Sequence, residues 1–192
     1  MAKLRLWGIR LNCMIRIVLL VFFLAFPLFA QDDAATARAA AGCGSNQIHF
    51  EVKVDKKQHP APQPEAGKGL VYVFADVTPD NYGYGIIGIT TRVGLDGAWV
   101  GANSSQSYFF FAVSPGDHRL CTNWQSSVAS RSKLAKAVTL TAEAGGIYYF
   151  RTKVFTVPDG QRRAIMKLEQ VDPAEGQLLI SSSSFSKSQP KK

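Results

Sequence analysis

The chain has 192 residues, 46% of them apolar and 19% charged, with a formal net charge of +8. The four basic residues Lys3, Arg5, Arg10 and Arg16 belong to an N-terminal leader, so 18 of the 22 basic residues remain against 14 acidic ones, and three of those 18 (Lys187, Lys191, Lys192) cluster at the C-terminal end. The body is left with a surplus of +1 and no basic stripe, which argues against nucleic acid as a partner; about 160 residues after the leader suffice for one domain with its own core.

In the leader, the basic residues precede an apolar run from Ile17 to Phe26, closed by Pro27-Leu28-Phe29-Ala30 and followed by the polar Gln31-Asp32-Asp33. This is the order of a secretory signal peptide, residues 1–30, with cleavage after Ala30. An uncleaved anchor is the competing reading, but the run is shorter than the roughly 20 apolar residues a spanning helix needs. Met14 begins a more compact signal and competes with Met1 as the start. Ala40-Ala41-Gly42-Cys43 faintly resembles a lipobox, yet Asp32, Asp33 and Arg38 separate it from the apolar run, so a lipid anchor is the weaker alternative. The expected location is periplasmic or secreted, with membrane contact only through the signal before cleavage. Cys13 leaves with the leader, and Cys43 and Cys121 remain as an even pair in an oxidising compartment, which favours a disulfide. Bridging requires Cα atoms roughly 4.4 to 6.8 Å apart, and so would lay the N-terminal segment against the middle of the chain.

Residues 31–45 read as a flexible lead-in, 46–182 as a single β domain and 183–192 as a polar, frayed tail. Ile48, Phe50, Val52 and Val54 alternate with polar residues, the pattern of a half-buried strand. Pro60, Pro62 and Pro64 enforce an extended connector. Leu70 to Ala75 is continuously apolar, as in a strand covered on both faces. The stretch Val93 to Cys121 organises the rest. Asp96-Gly97 signals a type I′ hairpin turn, Pro115-Gly116 a type II turn, and Tyr108 to Val113 a strand between them, together predicting an antiparallel meander. Strands follow over Val138 to Ala142, Ile147 to Val154 and Ala164 to Leu168. Asp172-Pro173-Ala174-Glu175 then supplies an N-cap acceptor, a proline in the first turn and a glutamate at N3, predicting one short helix docked through Leu178, Leu179 and Ile180. The fold class expected is all-β: a two-sheet antiparallel β-sandwich, immunoglobulin-like or transthyretin-like, with one short C-terminal helix.

The order Leu70-Val71-Tyr72-Val73-Phe74, Val93-Gly94-Leu95-Asp96-Gly97, Ser107-Tyr108-Phe109, Val113-Ser114-Pro115-Gly116-Asp117-His118 and Ala142-Glu143-Ala144-Gly145-Gly146-Ile147-Tyr148-Tyr149 resembles a bacterial exported family, domain of unknown function 2846. The likeness covers Leu70 to Val154, and many members of that family are described as lipoproteins. It implies a fold and a compartment rather than a reaction, because its motif residues are turns and core. This chain departs from it in lacking a convincing lipobox.

Candidate chemistry is sparse. Gly83-Tyr84-Gly85-Ile86-Ile87-Gly88 fits a dinucleotide fingerprint in spelling, but strand-favouring residues follow it where a helix is needed, so no cofactor is expected. His49, His59 and His118 lack metal-ligand spacing. Asp117-His118, with Ser104, Ser105 and Ser107, could form an unrecognised Ser/His/Asp site, although no nucleophile elbow supports it. Trp99, Trp124, Tyr82 and Tyr84 could present an aromatic binding surface, against the commoner fate of core packing, which is the expectation for Trp99. Two functions follow: an exported, non-catalytic β-sandwich of the bacterial envelope that binds a protein or glycan, or an envelope hydrolase built on Asp117-His118.

Overall fold

The computed structural model describes residues 43–76, 89–126, 133–156 and 164–191. The leader and its cleavage point, the lead-in up to residue 42, and the glycine-rich stretch with Tyr82 and Tyr84 lie outside the described residues.

Among the described residues ten strands and one helix follow in order: β1 (Phe50–Asp55), β2 (Gly69–Asp76), β3 (Thr90–Leu95), β4 (Ala98–Ser104), β5 (Ser107–Val113), β6 (Gly116–Gln125), β7 (Ala135–Ala142), β8 (Ile147–Thr156), β9 (Ala164–Val171), α1 (Pro173–Ser182) and β10 (Ser184–Pro190). The strands form a six-stranded sheet, β1-β10-β5-β2-β8-β9, and a four-stranded sheet, β4-β3-β6-β7. The two sheets pack as the layers of a sandwich. Pairing is antiparallel except for β2 with β8 and β10 with β5, which are parallel.

The strand alternation explains the layers. Val71, Val73, Phe109, Val113 and Phe150 of the larger sheet meet Val93, Leu120, Leu140 and Ala142 of the smaller one. The other face of the larger sheet is also apolar, with Leu70, Tyr72, Phe74, Tyr108 and Tyr149 against Ile180 and Leu179 of α1. The proline connector covers the same face. Tyr108 Oη donates to the Pro60 carbonyl at 3.0 Å, Tyr72 Oη donates to the Pro62 carbonyl at 3.3 Å, and His59 Nδ1 lies 3.2 Å from the Ile180 carbonyl. Proline offers a carbonyl but no N–H, so a proline strap suits phenols that need acceptors. Burial pushes both phenols up to about 12, keeping them neutral donors. The unbroken apolar run of β2 thus reflects cover on both faces, by the second sheet and by helix plus strap.

Several expectations are corrected. The stretch Val93 to Cys121 is no simple meander. Asp96 and Gly97 do form the tight β3–β4 hairpin, with φ of 51° and 85°. The chain then crosses to the larger sheet through Ser105-Gln106 and returns to the smaller sheet through Pro115-Gly116, where Gly116 has φ 131°. The physical reason lies in β5: Tyr108 and Phe110 face one side and Phe109 and Phe111 the other, so this strand needs cover on both faces and takes an interior place between β10 and β2. The polar tail is also a strand. Between β1 and β5, β10 packs Phe185 on Phe110, ring centres 5.6 Å apart, and buries Ser186 with its Oγ 2.5 Å from Ser107 Oγ. In β1 only Phe50 reaches the core, and Val54 is 40% exposed, because β1 is the outermost strand of the wider sheet. The helix starts as expected, Asp172 Oδ1 accepting from the N–H groups of Ala174 and Glu175 at 2.9 and 3.0 Å. Of the three residues expected to dock it, Ile180 and Leu179 make the contact, whereas Leu178 points to solvent at 66% exposure.

Candidate binding groove

The segment Cys43 to Phe50 lies across β3 and β6, held by four kinds of contact. Cys43 and Cys121 form a disulfide with Cα atoms 5.5 Å apart, inside the window required of a bridge. Gly94 is the Cα partner of Cys121 and lies directly under the Cys43 peptide, so close that a Cβ would fall 2.1 Å from the Cys43 oxygen. Arg92 is buried. Its Nη1 donates to the carbonyls of Ile48 at 2.7 Å and Asn46 at 3.4 Å, and its Nε donates to Asn123 Oδ1 at 3.1 Å. No carboxylate pairs with it among the described residues; burial lowers its affinity for the proton, and carbonyl dipoles with the Trp99 ring, 4.5 Å from its guanidinium carbon, stand in for a counter-ion. Gln125 completes the set, accepting from the Phe50 N–H at 2.6 Å and donating to the Phe50 carbonyl at 2.9 Å, as a neighbouring strand would.

This docking builds a groove of about 510 Å³ between the segment, the start of β4 and the end of β10, lined by Ile48, Phe50, Trp99, Val100, Ser188 and Pro190. Trp99 is half-buried. Its Nε1 donates to the Ser45 carbonyl at 2.7 Å, which fixes the ring, while its remaining surface faces the groove. Ile48 and Val100 are 40% and 37% exposed, so an apolar wall is left in water on a frame pinned by a disulfide.

Of the four aromatics weighed as a surface, Trp99 lines the groove, and the core packing expected for it is met only in part, since the ring is half-buried. Trp124 is 5% exposed and packs with Ile89, Val154 and Met166, because its position on β6 turns it into the core. Tyr82 and Tyr84 lie outside the described residues. The Ser/His/Asp residues do not converge. His118 turns away from Asp117 and places Nδ1 2.6 Å from Asp96 Oδ2 and Nε2 2.8 Å from the Ser114 carbonyl. Both ring nitrogens face acceptors, so the doubly protonated ring is favoured and no lone pair is left to act as a base. The hydrogen bond to Asp96 is the main reason that the His118 pKa is raised. Asp96 is correspondingly lowered, first by the Arg119 N–H and then by His118. Asp117 accepts from Thr141 Oγ1 at 2.6 Å. Ser107 Oγ donates to the Ser104 carbonyl at 2.6 Å at the other end of β5, the length of that strand, about 20 Å, from the turn before His118. Among the described residues no three metal-ligating side chains cluster, and no helix is long and apolar enough to cross a membrane.

Sequence reasoning missed Arg92, Asn123 and Gln125, because a lone arginine in a strand pattern reads as an exposed position. The usable signal was Gly94 inside a strand, which marks a close backbone approach. Comparison with family models, curated proteins and solved structures finds no match.

Proposed function

We propose that this protein is an exported, non-catalytic binding module of the bacterial cell envelope, and that the Trp99 groove takes an apolar or aromatic segment of an envelope protein or glycan. The observation that carries this reading is the exposed wall of Ile48, Trp99 and Val100 on a segment pinned by a disulfide and by Arg92. A fixed, half-buried indole lining a groove suits contact with a sugar ring or a flat side chain, at little entropic cost. Export is supported by the signal-like leader and by a disulfide in the folded domain. The likeness to an exported bacterial family agrees with it.

A photo-reactive residue at Val100 in the producing cell tests the idea, with one at Thr139, on the far edge strand β7, as the control. The reading expects an adduct at position 100 that disappears in Trp99→Ala and is absent at position 139. Equal labelling at both positions, or labelling at 100 indifferent to Trp99, would count against it.

A further inference from the structure

The other end of β1 and β10 carries charge that the groove does not use. Lys53 and Lys187 are direct Cα partners in the antiparallel β1–β10 ladder, so two ammonium groups share one face of adjacent strands. Like charges directly opposite destabilise such a pair. Lys56 and Lys57 follow at once, in a turn where Asp55 Oδ1 accepts the N–H groups of Lys57 at 2.9 Å and Gln58 at 3.3 Å. The one carboxylate lining this depression is thus engaged by backbone. Among the described residues none of the four lysines makes an ion pair, although Lys68 and Lys153 find Glu65 and Glu169 elsewhere. Lys187 lies near the Phe185 ring, 5.8 Å from its centre. The four lysines surround a shallow depression of about 470 Å³, and in its lining lies Val54, 40% exposed.

We infer that this end of the β1–β10 pair docks on an anionic phospholipid bilayer, with the four ammonium groups on headgroup phosphates and Val54 at the interface. Uncompensated lysines concentrated at one strand end match a negative surface. The site has no arginine fork to grip a single phosphate, and lysine acts as a point charge, which suits an array of headgroups. Val54 separates a bilayer from a soluble polyanion, since an exposed apolar side chain gains only where there is an apolar interior to enter. The depression lies toward the Asp55 end of β1 and the Trp99 groove at its Phe50 end, and the inference does not depend on the groove's function. It also goes beyond the expectation that only the leader touches the membrane.

Vesicle flotation tests it, using the protein as recovered from the producing cell, with wild type and variants in the same processing state. Vesicles of phosphatidylcholine containing phosphatidylglycerol should carry the protein upward, and vesicles of phosphatidylcholine alone should carry little. Each lysine-to-glutamine change at 53, 56, 57 or 187 should lower partitioning about fivefold, and added salt should do the same progressively. The pair Lys53→Gln with Lys187→Gln should melt no lower than wild type, which separates lost binding from lost folding. Val54→Ser should weaken vesicle binding while leaving any binding of soluble inorganic polyphosphate unchanged. Failure to float with phosphatidylglycerol, or flotation unaffected by the four lysine changes, overturns the inference. So does flotation that survives Val54→Ser but is displaced by polyphosphate, which would make the site a polyanion site.

Discussion

The substitution Gly94→Ala isolates the docking of the N-terminal segment. In an ordinary strand, replacing glycine by alanine gains about 0.5–1 kcal/mol, because glycine has more freedom to lose. At Gly94 the added methyl would stand 2.1 Å from the Cys43 oxygen, 2.9 Å from its carbonyl carbon and 3.0 Å from its Cα. These are backbone atoms, and the disulfide to Cys121, the strand partner of Gly94, keeps them in place. To make room, the segment must lift. Arg92 would then lose the carbonyls of Asn46 and Ile48, each a charge-assisted bond of about 1.5–3 kcal/mol, and Trp99 would lose the Ser45 carbonyl, about 1 kcal/mol. Water replaces part of this, so the expected loss is about 3–5 kcal/mol, in the range of severe core substitutions. Urea unfolding of the oxidised protein measures it. In a Cys43→Ser/Cys121→Ser background the segment lifts more freely, and the cost of Gly94→Ala should fall to about 1–2 kcal/mol. An oxidised Gly94→Ala protein as stable as wild type, or more so, would refute the argument.

The Asp96–His118 pair gives a pH signature. The His118 pKa is raised above its ordinary 6.5, so its contribution is fully present below that value and is lost as pH rises through the folded pKa. Asp96 is lowered from 3.8, so its contribution is present above that value and is lost as pH falls through its folded pKa. The Asp96 side chain is 50% exposed, which limits the pair to about 0.5–1 kcal/mol. Asp96→Asn keeps a residue suited to the turn, and its deficit against wild type in urea should be largest between about pH 4 and pH 6.5 and shrink as pH rises further through the folded His118 pKa; a deficit that grows with rising pH contradicts the assignment. On the helix, Ile180→Ala should cost about 2–4 kcal/mol, whereas Leu178→Ala, at 66% exposure, should stay within about 0.5 kcal/mol in the same unfolding assay. A reversed order of the two would mean that α1 docks through its other face.

What the sequence disclosed followed from local rules. Asp96-Gly97 and Asp172-Pro173 announce themselves because a positive φ and an N-cap are decided within a few residues. The continuous run of β2 disclosed burial on both faces but not what covers them, since a proline strap accepting from Tyr72 and Tyr108 is a contact at long range. The misread elements share a cause. Ser184 to Pro190 carries a single aromatic, Phe185, and pairs through backbone hydrogen bonds that any polar residue can make; its strand character comes from the slot between β1 and β5. The same applies to the Trp99 groove, whose walls come from the start of the domain, the β3–β4 hairpin and the last strand. Trp99 and Trp124 look alike in the sequence, yet one lines a groove and the other fills the core, because Trp99 sits beside the register shift of the β3–β4 hairpin and Trp124 at a core-facing position of β6. The tail strand links the two surface features: β10 supplies Ser188 and Pro190 to the groove and Lys187 to the lysine cluster. Both surfaces are therefore completed by a segment whose composition alone reads as solvent-exposed tail, and any change that unpairs β10 should disturb both.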